Sequence, residues 1–479
     1  MKCNIRGTAA SLAAGVLFVS SGSALATNGY FTHGVGTQSK GMAGTGIGSN
    51  ADMGTIMTAS NPALGVFMSD SWEAGLSIFS PRRSYEASAQ SSNGLPIEVA
   101  PGSGVFLPTH SIAPGKIDSS SEYFPIPYVA KNWSLSNDRN ISVAFYGRGG
   151  MNTDWDDGNA SATSYFCGGD PTQGEPPATG PGPYCAGEAG VDLSQAFLSL
   201  NYSAKLGDNF AWGIGPVFGV QMFEARGVQT FQAVTKTLAT TGDITQVTSL
   251  SDNGHDISTG FGFAAGLWWG ITDRVSLGLG YQSKMSMSEF DDYSDLFAED
   301  GGFDIPSSIK GGLSFLATDS VRVNFDVELT AYSDVDSVGN PMANLFGCSL
   351  LPLGGTSVEP CLGGAQGAGF GWEDMTTYKL GFEWASDENN IWRFGYSYGE
   401  QPIQAADVLF NVLAPGVMEQ HITFGWTRNR ANGHQFSMSF MYAPEKTVSG
   451  PSAFDPAQTI DLSMSQFELE FSYRFGSGR

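Results

Sequence analysis

Past residue 26 the chain has no window of about 18 apolar residues. Transmembrane helices are therefore excluded. Charge is scarce as well: only 15% of the 479 residues are charged. Cations are the scarcer kind, 23 Lys and Arg against 47 Asp and Glu, for a formal net charge of −24. Without a Lys/Arg-rich tract the chain cannot neutralise phosphates, which excludes nucleic acid as a partner. The five histidines, His33, His110, His255, His421 and His434, are scattered without metal-ligand spacing. No metal or other cofactor is expected. What the chain has instead is 63 Gly, 32 Phe, 16 Tyr and 10 Trp.

Residues 1–26 read as a secretory signal. Lys2 and Arg6 form the positive start, an apolar stretch runs from about Ala9 to Val19, and Ala24-Leu25-Ala26 is a small-x-small cleavage site. The mature chain is expected to begin at Thr27. Cys3 lies too early to be a lipidated cysteine. The other cysteines form two close pairs, Cys167 with Cys185 and Cys348 with Cys361. In an exported chain these read as two local disulfides. A metal site is the competing reading, but no His lies near either pair in sequence.

From residue 71 onward, apolar and polar residues alternate with period two. In the last segment Phe467, Leu469, Phe471, Tyr473 and Phe475 point one way, and Gln466, Glu468, Glu470, Ser472 and Arg474 the other. Fourteen such segments are expected, near 71–86, 122–136, 138–150, 190–207, 209–231, 253–270, 273–290, 305–317, 320–334, 372–386, 390–400, 417–430, 433–444 and 461–475. Their connections alternate between tiny turns, such as Gly207-Asp208-Asn209, and long loops at 87–121, 151–189, 232–252, 291–304, 335–371, 401–416 and 445–460. That alternation marks a transmembrane β-barrel, with short turns in the periplasm and long loops outside. Closure removes the edges that lipid does not tolerate. Trp268, Trp269, Trp392 and Trp426 fall at strand ends, as interface aromatics would. A secreted sandwich or propeller explains neither feature.

Residues 27–70 show no strand period and are rich in Gly, Ala, Ser and Thr. They also carry Tyr30, Phe31, Ile47, Met53, Ile56, Leu64 and Phe67, too many apolar side chains for a solvated tail. A barrel of fourteen strands is wide enough to need a filler, and this segment is expected to be it. Asn61-Pro62 is a turn initiator within it. The domain plan is thus a signal at 1–26, a plug at 27–70 and a barrel at 71–479.

NGYFTHGVGTQSKGMAGTG (Asn28 to Gly46) followed by SNPAL (Ser60 to Leu64) resembles the start of the FadL/TodX family of outer-membrane transporters. IPSSIKGGLSF (Ile305 to Phe315), FDVELTAYSDV (Phe325 to Val335), WEDMTTYKLGFEW (Trp372 to Trp384) and WRFGYSYGEQPI (Trp392 to Ile403) are similar to its strand motifs, in the family's order. The resemblance implies an all-β, 14-stranded antiparallel transmembrane barrel plugged by an N-terminal hatch. It also implies passive uptake of long-chain fatty acids or hydrocarbons, capture by outer loops, and a kinked third strand that opens a lateral exit. By it, Asn61, Pro62 and Ala63 belong to the hatch. The kink falls in 138–150, where Gly147, Gly149 and Gly150 permit a bulge. Expected partners are these hydrophobic molecules and the lipid and lipopolysaccharide of a Gram-negative outer membrane, with the protein acting as a monomer.

By strand phase Arg148, Lys310, Arg322, Lys379 and Arg393 point inward, with Asp326, Glu328 and Glu383 as partners. Arg148 and Lys310 are the candidates to meet a carboxylate head group. Tyr30 and Phe31 are candidates to line the ligand pocket, and Trp155 and Phe166 to catch ligands outside. Gly395-Tyr-Ser397-Tyr-Gly399 matches a hydrolase nucleophile pattern but lies inside an alternating strand, not a strand–turn–helix. With His421 it defines the enzyme alternative, a lipolytic protein. A general porin is the other alternative. No catalytic residue is expected.

Overall fold

The computed structural model describes residues 28–476, apart from 91, 99–102, 105, 157–159, 171, 172, 431 and 432. The expected signal, its cleavage site and the last three residues lie outside the described residues. Among the described residues no helix is long and apolar enough to cross a membrane.

Fourteen antiparallel strands form a closed ring. They are β1 (Ser71–Ala87), β2 (Phe124–Ser136), β3 (Arg139–Asn152), β4 (Gly190–Lys205), β5 (Phe210–Arg226), β6 (Asp256–Thr272) and β7 (Val275–Gln282). The second half comprises β8 (Ser308–Thr318), β9 (Val321–Thr330), β10 (Met375–Ala385), β11 (Asn390–Gly399), β12 (Gln420–Asn429), β13 (Gln435–Ser452) and β14 (Asp455–Gly476). Each strand pairs with its chain neighbours, and β14 closes onto β1 from Ser71↔Gly476 to Ala87↔Ile460.

The period-two pattern becomes two faces. Leu76, Ile78, Phe261, Phe325, Phe382, Phe394 and Phe471 stand exposed on the outer wall. A contiguous apolar belt of this kind belongs against lipid. The alternate residues, among them Asn201, Gln221, Asn324, Asp326, Glu328, Lys379, Arg393, Glu468 and Glu470, are buried in the lumen. Trp268 differs from expectation. It faces inward, donates to the Gly48 carbonyl over 3.0 Å and packs on Phe67. Its neighbour Trp269 takes the exposed position, because adjacent strand residues face opposite ways.

Several segments depart from their expected bounds, among them the strand expected at 209–231, which ends at Arg226. The stretch 445–460 is not a loop: β13 and β14 continue through it and meet at Ala453-Phe454, after a register shift between Ala443 and Lys446. The shift brackets Pro444, which has no backbone donor for the ladder. The strand expected at 273–290 stops at Gln282. Beyond it Met285 turns inward and bridges Ile305. The strand expected at 320–334 ends at Thr330, where a short 3-10 turn, Tyr332–Asp334, buries Tyr332.

The other long connections hold small elements, including a three-stranded sheet of His110–Ile112, Ser161–Ser164 and Ala178–Pro181. Both cysteine pairs lie at this end as disulfides, with Cα atoms 5.4 Å apart in Cys167–Cys185 and 4.6 Å apart in Cys348–Cys361. Residues 28–70 lie inside the ring, nearly all buried.

Candidate functional site

The wall is incomplete between β2 and β3. Their ladder runs from Ser136↔Arg139 to Tyr128↔Tyr146 and stops. Beyond it, Phe124 to Pro127 of β2 pair with β1 alone, and Gly147 to Asn152 of β3 pair with β4. Pro125 and Pro127 are two residues apart, so both remove a donor from the same edge of β2. On the other side, the β3–β4 register shifts as Gln195 pairs with Gly149 and Ala196 with Gly147, leaving Arg148 as the extra residue of a bulge.

The edge of β3 that β2 abandons is taken from inside by the N-terminal segment. Thr32 N donates to the Arg148 carbonyl over 2.8 Å and Gly150 N to the Tyr30 carbonyl over 3.1 Å. Phe31 forms a bridge with Gly149. A Cβ on Gly149 would stand 1.9 Å from Gln195 Oε1 and 3.2 Å from the Phe31 ring, so any larger residue would have to push the Gln195 side chain aside. Gly147, Gly149 and Gly150 thus all fall at the bulge.

Arg148 points into the lumen. It donates to Gln282 Oε1 over 2.8 Å, Ser308 Oγ over 3.1 Å and Glu328 Oε1 over 3.2 Å. Lys310 reaches the same carboxylate at 3.0 Å and Lys379 at 2.7 Å. Three cations therefore share Glu328. Arg393 pairs with Glu383 at 2.8 Å, and Arg322 donates to Ser314.

The remaining plug is pinned to the wall. Asn61 is fully buried, and its Oδ1 caps the 3-10 turn Pro62–Phe67 by accepting from Ala63 N over 3.0 Å. Its Nδ2 donates to the Ile47 carbonyl over 2.9 Å and to Leu267 of β6 over 3.1 Å. A Cβ on Gly266 would stand 1.9 Å from Asn61 Oδ1, which explains a glycine in that strand. Asp326 accepts from Gly46 N and Ile47 N, and Lys40 pairs with Glu468 and Glu470 at 2.5 and 2.6 Å.

An aromatic chain leads from the long-loop end to the bulge. Its outer end is an apolar pocket, part of it open to solvent. Val191, Phe223, Phe231, Phe297, Phe370 and Leu413 line it, and among the described residues no charged one does. Phe223 meets Phe297 at 4.6 Å between ring centroids, Phe297 meets Phe303 at 4.9 Å, and Phe303 meets Tyr30 at 6.3 Å. Tyr30 contacts Phe31 at 4.9 Å, and Tyr332 and Trp372 join the same cluster. Sequence reasoning singled out Tyr30 and Phe31 but missed Phe297, Phe303, Tyr332 and Trp372, which lie on two separate loops. The Pro-x-Pro signal in β2 was legible and also missed.

Other expected residues are placed differently. Trp155 is not presented outside: it is buried, and its Nε1 donates to the Val412 carbonyl over 3.0 Å. Phe166 is half-buried against Phe454. Ser397 Oγ and His421 Nδ1 lie 3.0 Å apart across β11 and β12, both sealed from solvent. Among the described residues no carboxylate pairs with His421, and its Nε2 has no partner. His110, distant in sequence, lies beside Cys167 and Cys185. The two sulfurs are bonded to each other, and the His110 Nε2 donates to the Pro183 carbonyl over 2.7 Å.

Residues 178–449, more than half of the chain, match the family of outer membrane protein transport proteins (OMPP1/FadL/TodX). The fold is similar to the toluene transporter TodX of Pseudomonas putida, at 15% identity and a TM-score of 0.61 over 93% of this chain and 99% of that one. A Pseudomonas aeruginosa FadL homologue is similar at 14% identity and 0.60, with the same coverage. The Ralstonia pickettii toluene transporter TbuX is similar at 14% and 0.53, again over 93% and 99%. No curated protein sequence matches the chain.

Proposed function

The chain belongs to the OMPP1/FadL/TodX family, outer-membrane channels for hydrophobic substrates, and we propose that this member takes up long-chain fatty acids passively, through the gap between β2 and β3. The observation that carries the proposal is the continuity of apolar contacts from the outer pocket through Phe297, Phe303 and Tyr30 to the bulge at Arg148. A ligand caught among the long loops follows these surfaces without meeting bulk water. It then leaves sideways into the outer leaflet, where its chain stays in an apolar medium.

The moving part is the strip Asn28 to Thr32, which fills the gap from inside through two backbone hydrogen bonds and the Phe31 bridge. The rest of the plug stays in place. Removing one partner of a buried, paired charge such as Lys40 costs about 3–5 kcal/mol, whereas a backbone bond near an opening re-forms with solvent or ligand at little net cost. Three cations around the single Glu328 carboxylate leave local positive charge for the acid head group, with Arg148 in the bulge itself and Lys310 beside it on the same carboxylate.

The second reading is a hydrocarbon channel, favoured by the outer pocket, whose lining among the described residues is uncharged. Uptake of labelled oleate and labelled hexadecane or toluene separates the two, in a host lacking its own hydrophobic transporter and with folded surface levels matched. Oleate uptake supports the fatty-acid reading. Uptake of hydrocarbon alone makes the lumen cations structural. Passage of small sugars with neither ligand identifies a porin and overturns both readings.

A further inference from the structure

Arg83, on the lumen side of β1, is 4% exposed, yet among the described residues it is paired with no carboxylate. Its Nη1 donates to the Ser121 carbonyl over 3.2 Å, and its Nη2 has no hydrogen-bond partner. A buried guanidinium with an idle donor is costly unless something outside the chain completes it. The neighbouring Arg82 takes Glu122, so the strand is not short of acids. Arg83 lines a narrow cleft, part of it open to solvent, with Met151, Asn152, Trp372 and Gly416. Asn152 Oδ1 is likewise buried without a partner.

The position of this pocket gives it meaning. The Arg83 guanidinium lies 5.7 Å from the ring centroid of Phe124, the residue that opens β2 where the wall is incomplete. Trp372, in the pocket wall, touches Tyr30 of the movable strip. The larger apolar pocket lies directly beyond the same partition: Leu413 faces one pocket and Ala414 the other, and Phe370 of the larger contacts Trp372 of the smaller at 6.3 Å.

We propose that Arg83 is a binding residue for the carboxylate of an amphipathic ligand, held between the apolar pocket and the wall gap while its chain lies against Phe370 and Trp372. A carboxylate supplies two acceptors, and Nη2 offers the idle donor for one. Asn152 Oδ1 accepts from a protonated acid or from a water on the head group. The inference deepens the fatty-acid reading and rests on it for the identity of the ligand. It makes Arg83, ahead of Arg148 and Lys310 at the bulge, a residue that tells an acid from a hydrocarbon of equal length.

The test is equilibrium binding of radiolabelled oleate and of oleyl alcohol, which has the same chain without the charge, to the full purified protein in detergent. Wild type, Arg83→Gln and Arg83→Lys are compared. The wild type is expected to prefer oleate, Arg83→Gln to lose about tenfold of oleate affinity with the alcohol unchanged, and Arg83→Lys to keep part of the preference. Retention of the full preference by Arg83→Gln overturns the proposal, as does a wild type that binds both alike. Should Arg83→Gln fail to fold, as judged by heat-modifiable mobility, Arg83→Lys decides: the point charge cannot reproduce the fork, so oleate affinity must fall while the alcohol is unaffected. Binding with this preference in a protein that shows no oleate uptake upholds Arg83 and overturns the transport reading.

Discussion

The guanidinium of Arg148 lies over the ring of Phe31, 4.3 Å from its centroid. One residue belongs to the bulge in the wall and the other to the strip behind it, so this contact holds the strip against the opening. The backbone of the same two segments is joined by Thr32 and Arg148.

Replacing Phe31 with Ala removes a desolvated cation–π contact worth about 0.5–2 kcal/mol together with the ring's contacts to Tyr30 and Tyr332. The strip is expected to leave the gap more often. Single-channel recordings in planar bilayers should show more frequent openings than wild type, with the barrel itself unchanged in heat-modifiable mobility.

Asn61→Ala strands the amide of Ala63 and the carbonyl of Ile47 in a dry setting, and removes the bond to the half-buried Leu267 carbonyl. At about 1–3 kcal/mol per buried group left unpaired, the plug loses one of its anchors on β6 and keeps the bond from Trp268 to Gly48. Proteolysis of the folded protein from the short-turn side should then cut within 45–68, where the wild type resists.

A Cβ on Gly147 would lie 2.9 Å from the Ile126 side chain, across the gap between β3 and β2. The double variant Ile126→Cys, Gly147→Cys is therefore expected to cross-link under mild oxidation. Closing the wall should abolish ligand uptake, and mild reductant should restore it. Unchanged uptake in the cross-linked protein rules out exit at this point.

His255, beside the start of β6 at the long-loop end, hydrogen-bonds Asp192 over 3.0 Å. That bond, reinforced by the charges of Asp192 and Glu224 and opposed by partial burial and by Arg226, raises its pKa above the ordinary 6.5. The folded state thus holds the proton more tightly than the unfolded one. The stabilisation is fully present below the unfolded value and is lost as pH rises through the raised folded value. His255→Gln should melt lower than wild type at about pH 5.5 and alongside it at about pH 9.

The barrel was legible because two different solvents act on alternate residues: lipid outside and a polar lumen inside leave a period of two on every strand. Strand ends were less legible. Nothing in 445–460 says that the hairpin of β13 and β14 rises past the membrane, and Trp268 and Trp269 cannot both face out although either would suit a girdle. The lumen cations were readable by phase, but the gathering of Arg148, Lys310 and Lys379 on Glu328 depends on register between strands far apart in sequence. The aromatic chain was hidden for the same reason, since Phe297, Tyr332 and Trp372 acquire their neighbours only when the loops fold inward. Arg83 gave no signal at all, because its lack of a carboxylate is a fact of three dimensions.

Lys40 binds Glu468 and Glu470 of β14, and Glu468 also accepts from Ser77 of β1. These residues straddle the line where the last strand meets the first. A ring shut around an empty interior would leave two carboxylates crowded together with no cation between them. The charge along this seam is therefore matched only with the plug in place: a molecule that closes without it carries an electrostatic fault where its last strand meets its first.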